Sequence, residues 1–436
     1  MAADATDHAP LVAAAKRAGL RVLEGRHLIL VTDRPSRAGD GVDELPGVFD
    51  AAWSSWCRHF ALDPLAHADW RALGCLVVDR ERFRAAGLLP DEIPDFANGY
   101  CFRDRFWLAD QSNPEYRRHL LLHEGVHAFT ITLRDLATPP WYTEGIAELL
   151  ATHRLEAEAS REPATRAESA SGAFVPTPIP QRADDVEQLG RIERLRKLRA
   201  AAICPGLDEV LATPAALHRD LSAYAGSWAA VALFALHPRH AAVFATVQQG
   251  PLDATFTDRL RAAPGFDADI AARDFDAFTD DLDYGYDFSR SAIDWSPGRP
   301  LDDLRTVDVQ GGRGWQNSGW SLRRGERASW TASGRCTIGF LPADGSRPTV
   351  RLETEPAGIS LRWYRGRPLG RLLVAQWVDE PAGGGRPRFV VIAEGAGGDC
   401  TAVADGPLYC RLNERPGELA DDEGSLKAEF RREPEE

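Results

Sequence analysis

Residues 123–127 read His-Glu-Gly-Val-His, a pattern in which two histidines lie four positions apart. In an α-helix this spacing places both imidazoles on one face, one turn apart, so both can reach a single metal ion. Glu124, between them, is placed to act as general base on a metal-bound water. Asn113, Pro114 and Glu115 predict where the helix begins, with a cap, a first-turn proline and an acid at its positive end.

A second helix is predicted to begin at Pro139–Pro140, and it carries Glu144 and Glu148 one turn apart. A catalytic zinc site needs a third protein ligand as well as an open position for water. A carboxylate on the next helix therefore favours a metal site. The alternative is that the two histidines and Glu124 lie on an amphipathic, half-solvated helix without a metal.

The two motifs together resemble the gluzincin metallopeptidases, in which two histidines of the first helix and a glutamate of the next hold zinc. On that resemblance His123, His127 and Glu144 are the zinc ligands. Glu124 is then the catalytic base, and Glu148 is a carboxylate that orients a ligating imidazole. The likeness is close over residues 112–152, loose over the first 290, and shared with a group of uncharacterised bacterial proteins. It implies zinc-dependent hydrolysis of peptide bonds in a peptide or protein substrate.

Three further features of the sequence each allow two interpretations. Tyr224 begins a Tyr-Ala-Gly-Ser-Trp run that recurs in peptidase-MA-like proteins, which implies donation to the oxyanion; a core or capping tyrosine is the alternative. His119 lies one turn before His123, and it either supports the site or is a packing or surface histidine. Phe106–Ala109 belongs to a predicted hairpin that either lies along the substrate cleft or fills the core.

Composition excludes several classes of protein. The chain of 436 residues carries a net charge of −14 and no Lys/Arg run with interleaved aromatic residues, which argues against a nucleic-acid partner. No stretch approaches the roughly 18 unbroken apolar residues of a membrane span. Residues 1–19 lack the pattern of a signal peptide, so we expect a cytoplasmic protein. An extracytoplasmic location is the alternative if the natural start lies upstream.

The cysteines do not form a recognisable framework. They number seven, are scattered along the chain and include no Cys-x-x-Cys pair, so a thiolate zinc site is excluded. Cys400 and Cys410 flank a predicted hairpin and either form a disulfide, which would favour an oxidising compartment, or pack separately as small apolar residues.

The pattern of apolar residues predicts an α+β protein in three parts. Residues 1–110 predict an α/β part with a small sheet, and residues 111–296 predict a mainly helical part that holds the zinc site. Within the second part, residues 155–185 are predicted as a surface loop, and the acidic stretch 267–287 as a solvated face. After Pro297–Pro300 short apolar runs alternate with turn signals, so residues 300–436 predict a β-sandwich accessory domain.

Residues 413–425, called the acidic loop below, join two predicted strands of this C-terminal domain. The loop crowds Asn413 and five acidic side chains beside two glycines. Clustered carboxylates and carbonyls are the ligands that a hard cation such as calcium needs. The alternative is a solvated acidic hairpin.

Residues 315–430 resemble the bacterial calcium-dependent galactophilic lectins, which carry an N-D-x-P-G-x-x-x-N-N-x-G run before their last strand. Five residues match calcium ligands by position: the side chains of Glu414, Asp421 and Asp422, and the backbone carbonyls of Glu418 and Ile338. Acids replace the two adjacent asparagines of that run, and glutamate replaces its aspartate. The extra negative charge favours calcium but can abolish the sugar contacts.

The sequence thus predicts a zinc metallopeptidase domain followed by a lectin-like β-domain that binds substrate or glycan, with calcium as a second metal if the acidic loop binds one. Two alternatives stay open. The catalytic domain could be vestigial, which leaves a glycan-binding protein, or the β-domain could be only structural.

Overall fold

The computed structural model describes residues 7–37, 39–156, 173–186, 190–214, 220–341, 350–382 and 384–433. Helices and strands both occur throughout these ranges, in several sheets, so the predicted α+β class is confirmed. The chain divides into two compact units: unit 1 contains Met1–Arg191, Val210–Ala232 and Val243–Pro264, and unit 2 contains Ile192–Glu209, Leu233–Ala242 and Gly265–Glu436. The domain bounds 1–110, 111–296 and 300–436 stay predictions.

The described residues form the following α-helices: α1 Ala9–Arg17, α2 Leu45–His59, α3 Arg80–Ala85, α4 Pro114–Arg134, α5 Pro140–Ala151, α6 Arg191–Ala200, α7 Leu207–Leu211, α8 Leu221–Leu236, α9 Ala241–Gln249, α10 Phe256–Arg261, α11 Ala268–Asp281 and α12 Phe288–Ser291. None of them is by itself long and apolar enough to cross a membrane, whereas the bent pair α8 and α9 meets the length and composition criteria when the two are taken together.

The strands of the first half are β1 Arg21–Glu24, β2 Leu28–Thr32, β3 Ala72–Val77, β4 Gly99–Phe102, β5 Arg105–Ala109, β6 His153–Glu156 and β7 Ala173–Pro176. Those of the second half are β8 Arg299–Pro300, β9 Arg305–Gln310, β10 Gln316–Leu322, β11 Arg327–Ser333, β12 Cys336–Leu341, β13 Val350–Thr354, β14 Ile359–Tyr364, β15 Arg367–Leu369, β16 Leu372–Val378, β17 Arg388–Glu394, β18 Gly397–Thr401, β19 Gly406–Leu412, β20 Asp422–Glu423 and β21 Ser425–Arg432.

Unit 1 contains a five-stranded sheet in the order β1-β2-β3-β5-β4. Strands β2, β3 and β5 run parallel, while β1 and β4 pair antiparallel at the two edges. Every residue of β2 and β3 is buried, as expected of central parallel strands with continuous apolar sequences. Strand β5 lies inside the sheet with Phe106, Trp107 and Leu108 buried, so this segment fills the core and β4 is the edge strand of the hairpin.

Helix α4 begins and packs as its sequence predicts. The side chain of Asn113 caps the helix by accepting a hydrogen bond of 2.9 Å from the backbone of Tyr116, and Pro114 occupies the first turn. A Cβ at Gly125 would lie 2.5 Å from the ring of Phe49 and 2.9 Å from that of Trp56. Glycine at this position therefore lets helix α2 approach the middle of the metal-motif helix.

Unit 2 contains the sheets β17-β16-β19-β10-β8, β18-β11-β21-β9 and β13-β12-β20, together with the hairpin β14-β15. Buried side chains from all of these except β17, β8 and β20 share one hydrophobic core, which includes Val309, Trp330, Val374 and Phe430. A common core is what a layered β-domain requires. The arrangement of the sheets as a β-sandwich stays a prediction.

The acidic stretch 267–287 differs from its sequence-based interpretation as a solvated face. Four of its aspartates are buried: Asp274, Asp276, Asp281 and Asp283. Arginines from distant parts of the chain compensate them; Arg386 forms two hydrogen bonds of 3.0 Å with Asp276, and Arg411 lies 2.6 Å from Asp281. Buried carboxylates need such partners, and a local charge pattern does not reveal them.

The structure also bears on the predicted surface loop and on the predicted alternatives for Cys400 and Cys410. The predicted loop 155–185 falls mainly on residues 157–172, outside the described residues, and the segments that flank them pair as the hairpin β6-β7. Cys400 and Cys410 are both buried and free, so the alternative of separate apolar thiols applies to the structure.

Candidate metal centre

Helices α4 and α5 bring the predicted site residues together. His123 and His127 lie on one face of α4, and Glu144 and Glu148 lie one turn apart on α5. A Cβ at Gly145 would be 2.4 Å from the backbone carbonyl of Ser227, so a glycine beside Glu144 allows α8 to pack closely against α5. The site residues thus lie on α4 and α5, and the part of α8 that belongs to unit 1 packs beside α5.

Three potential ligand atoms form a compact triangle. The two Nε2 atoms of His123 and His127 are 3.1 Å apart, and they lie 3.3 Å and 3.5 Å from Oε2 of Glu144. Ligands at 2.0–2.1 Å around a tetrahedral zinc ion would be separated by about 3.3 Å. The triangle therefore has the dimensions of one face of such a tetrahedron, and the fourth corner is left for water or substrate.

The electrostatics of Glu144 suit a ligand. Burial alone would raise the pKa of this carboxyl, but the adjacent imidazoles of His127 and His123 outweigh burial and hold its pKa well below the ordinary value. Glu144 is therefore an anion over the whole working pH range, as a metal ligand must be.

Glu124 lies apart from the triangle, against the edge strand of the sheet. A Cβ at Gly99 would be 2.4 Å from Oε1 of Glu124, so the carboxylate fits against β4 only because residue 99 has no side chain. Glu124 is buried, and burial raises the pKa of its carboxyl, with Glu144 adding to the rise and the histidines opposing it. A raised pKa brings a carboxylate closer to the range useful for a general base.

Tyr224 reaches the site from α8. Its ring centre is 6.1 Å from that of His123. Burial, the nearby carboxylates of Glu144 and Glu124, and a hydrogen bond to Glu144 all raise the pKa of its hydroxyl, which stays protonated and able to donate. The position fits the predicted oxyanion donor, while its catalytic role stays a prediction.

A second row of polar groups lies behind His123. Oε1 of Glu148 is 3.0 Å from Nδ1 of His123, the position from which a carboxylate orients a ligating imidazole. Nε2 of His119 is 3.4 Å from the other oxygen of Glu148, and Arg191 forms an ion pair with the same carboxylate. His119 thus supports the site, and Arg191 is a site residue that the sequence did not indicate, because it begins an ordinary basic helix far along the chain.

Within the described residues, three sets of three side chains have ligand atoms within 4.8 Å of one another and could hold a metal ion: His123, His127 and Glu144; His119, His123 and Glu148; and His237, His240 and Asp274. The last set belongs to unit 2 and is already satisfied. Asp274 pairs with Arg239 and accepts hydrogen bonds of 2.8 Å from Trp295 and His240. We interpret this set as an ionic network that stabilises unit 2.

The acidic loop contains two buried carboxyls without adequate partners. Glu414 is 1% exposed and Asp422 is 8% exposed. Oε2 of Glu414 and both carboxyl oxygens of Asp422 make no hydrogen bond with the described residues. Burial and the neighbouring acids raise the pKa of Glu414 to about 9 and that of Asp422 to about 7. Such groups must take up protons or be neutralised by a cation.

The other predicted calcium ligands lie beside these two carboxyls. Ile338 pairs with Asp422 across β12 and β20, and Glu418 raises the pKa of both Glu414 and Asp422. Asp421 approaches Gly339, where a Cβ would be 3.3 Å from Oδ2. In the described part of the chain, however, no three side-chain ligand atoms of the loop lie within 4.8 Å of one another. The loop brings the predicted calcium ligands near one another, but their side chains lie farther apart than those of the histidine site.

Comparison with known proteins adds little to these observations. No protein-family model matches the chain, and no curated protein matches it. Among solved structures, the EclA N-terminal domain, described as a PllA-like lectin, is similar at 21% sequence identity over 30% of this chain and 98% of that chain, with a TM-score of 0.20. At that TM-score the similarity carries no inference, and the function has to be argued from this chain's own residues.

Proposed function

We propose that this protein is a zinc-dependent metallopeptidase of gluzincin type that hydrolyses peptide bonds. The observation that supports the proposal is the triangle formed by His123, His127 and Glu144, whose edges of 3.1–3.5 Å fit a tetrahedral ion. Two imidazoles and one carboxylate are a ligand set that catalytic zinc sites use. The buried Glu124 next to the triangle adds a base, which a purely structural zinc site does not need.

Each protein group then has a distinct part in the reaction. Zinc, when bound, would polarise the scissile carbonyl and lower the pKa of a water ligand toward about 7. Glu124 accepts a proton from the attacking water and later donates it to the leaving amine. The hydroxyl of Tyr224 donates a hydrogen bond to the oxygen on which negative charge develops. Glu148 holds His123 with its Nε2 atom toward the metal.

The proposal is tested with Glu124→Gln, which removes the base but keeps its shape. We expect the variant to retain zinc, measured by elemental analysis, and to lose hydrolysis of a fluorogenic peptide library by roughly a hundredfold to ten-thousandfold. Glu92→Gln is the matched control, because Glu92 is an exposed glutamate outside the site. It should leave both measurements unchanged.

Two results would contradict the proposal. Full peptidase activity in Glu124→Gln would remove Glu124 from the mechanism, and loss of zinc in that variant would make it a ligand. Wild-type protein that binds zinc but cleaves no peptide would instead favour the alternative function, a glycan-binding protein with a vestigial catalytic domain.

For the C-terminal domain we propose that the acidic loop binds calcium and thereby supports binding of a glycan or of the substrate. The supporting observation is the unpartnered oxygens of Glu414 and Asp422. A glycan array probed with the full chain in calcium and in chelator tests this function. We expect calcium-dependent signals that are lost when Asp421→Ala is combined with Asp422→Ala, while equal signals in both buffers would contradict the proposal.

A further inference from the structure

The centre contains two overlapping triads that share His123. One triad adds His127 and Glu144 on the Nε2 side of the imidazole; the other adds His119 and Glu148 on the Nδ1 side. A neutral imidazole has one nitrogen with a free lone pair and one that carries a proton. His123 can therefore offer only one of its two nitrogens to a metal, and the surrounding residues determine which nitrogen it is.

We propose that Arg191 is a positioning residue that occupies the triad of His119, His123 and Glu148 with its fixed positive charge and so directs the single metal to His127 and Glu144. This inference rests on the proposed zinc site and adds to it a reason for where the metal binds.

The contacts of Arg191 engage the ligand atoms of the second triad. Its guanidinium forms an ion pair with Glu148, and its NH2 group lies 2.9 Å from Nε2 of His119. Arginine only donates hydrogen bonds, so Nε2 of His119 must act as the acceptor, and its lone pair is not available to a metal. Oε1 of Glu148 lies 3.0 Å from Nδ1 of His123, so its negative charge favours the tautomer with the proton on Nδ1, which leaves Nε2 of His123 for the other triad.

The charge and the burial of Arg191 also disfavour a metal ion in the second triad. The side chains of Arg191 and Glu148 are only 11% and 7% exposed, so water screens neither of them well. Burial lowers the pKa of Arg191 to about 9, which leaves the guanidinium cationic at neutral pH. A divalent cation in the second triad would therefore face a guanidinium that already neutralises the carboxylate of that triad, Glu148, whereas Glu144 of the other triad lies beside the imidazoles of His123 and His127.

The first test compares zinc content in His119→Ala and His127→Ala with that of the wild type. We expect about one zinc per chain in the wild type and in His119→Ala, and almost none in His127→Ala. The reverse ranking would place the metal in the second triad and overturn the inference, although a zinc site on His123 would survive. A wild type without zinc would refute the proposed metal site itself and the inference with it.

The second test removes the charge. Arg191→Met should admit a second, weaker zinc equivalent, because His119 and Glu148 become free to bind metal while His123 stays with the first zinc. Adding His119→Ala to that variant should return the stoichiometry to one. Arg191→Lys keeps a cation and should bind one zinc, as should Arg37→Met, which changes an exposed arginine elsewhere.

The number of zinc ions bound per chain distinguishes the proposed role from a merely structural one. If Arg191 were only structural, Arg191→Met would lower the melting temperature without creating a metal site. If folded Arg191→Met binds a single zinc with wild-type affinity, the inference is wrong. If that variant does not fold, the comparison of His119→Ala with His127→Ala still decides which triad holds the metal.

Discussion

In the presence of chelator, raising the pH should destabilise the wild type relative to the variant Glu414→Gln, because the acidic loop buries carboxyls that lack partners. Glu414 has a pKa of about 9 in the folded chain against an ordinary value of 4.5. A carboxyl whose pKa is higher in the folded state binds more protons when folded. Its contribution to stability is therefore complete below about pH 4.5 and is lost progressively as the pH rises toward 9.

The size of the effect follows from the proton difference. One proton more in the folded state lowers the free energy of unfolding by about 1.36 kcal/mol for each pH unit, so Glu414 alone removes about 2.7 kcal/mol between pH 5 and pH 7. Asp422, whose pKa is raised to about 7, acts in the same direction over this window. For a domain of about 150–250 residues, such a loss lowers the melting temperature by roughly 5–10 °C.

The assay is thermal unfolding of the full chain at pH 5 and pH 7, in chelator and in millimolar calcium. We expect calcium to remove the contribution of the loop to the pH dependence, because a bound cation replaces the protons; binding to the folded state alone adds about 2.7 kcal/mol at a hundredfold excess over Kd. Glu414→Gln should remove the loss of stability that Glu414 causes in chelator, while Glu423→Gln, at an exposed position of the same loop, should not. The quantity that tests the reasoning is the difference between the wild type and Glu414→Gln, because buried histidines such as His59 and His153, whose pKa values burial lowers to about 4, stabilise the fold as the pH rises. A difference that stays constant from pH 5 to pH 7 in chelator would refute the reasoning.

Three other predictions concern the zinc site. Glu144→Ala should nearly abolish zinc binding, whereas Glu148→Ala should weaken it by about 10–100-fold, as measured by competition with a chelating dye; the opposite ranking would exchange their roles. Gly99→Ala should displace Glu124, because the new Cβ would lie 2.4 Å from its oxygen, so peptidase activity should fall while zinc content stays constant. Tyr224→Phe should reduce kcat by about a hundredfold to a thousandfold with little change in zinc affinity, and an unchanged kcat would make Tyr224 a packing residue.

Local spacing was sufficient for the parts of the site that lie on one helix. The separation of His123 and His127 is a property of helical geometry, so their position on one face could be read from the sequence, as could the cap at Asn113. The same holds for strands with strong apolar runs, such as Leu28–Thr32 and Leu372–Val378, whose continuous apolar sequences are typical of buried strands.

Other strands carry no such run, and their own sequences do not indicate them. Gln316–Leu322 is polar and Gly397–Thr401 is rich in glycine, so neither carries the alternation typical of a half-buried strand. Both are strands because partners distant in sequence pair with them: β19 with the first and β11 with the second. Non-local hydrogen bonds override weak local propensity in these cases.

By itself, the sequence determined which residues can share a helix face, and therefore the pairs His123 with His127 and Glu144 with Glu148. Only the tertiary structure brought the two pairs within 3.5 Å of each other and placed Gly99 against Glu124. It also placed Arg191 in an ion pair with Glu148. The reason is physical: periodicity follows from the backbone geometry of one element, whereas the neutralisation of a buried charge depends on whichever distant side chain the packing of several elements brings to it.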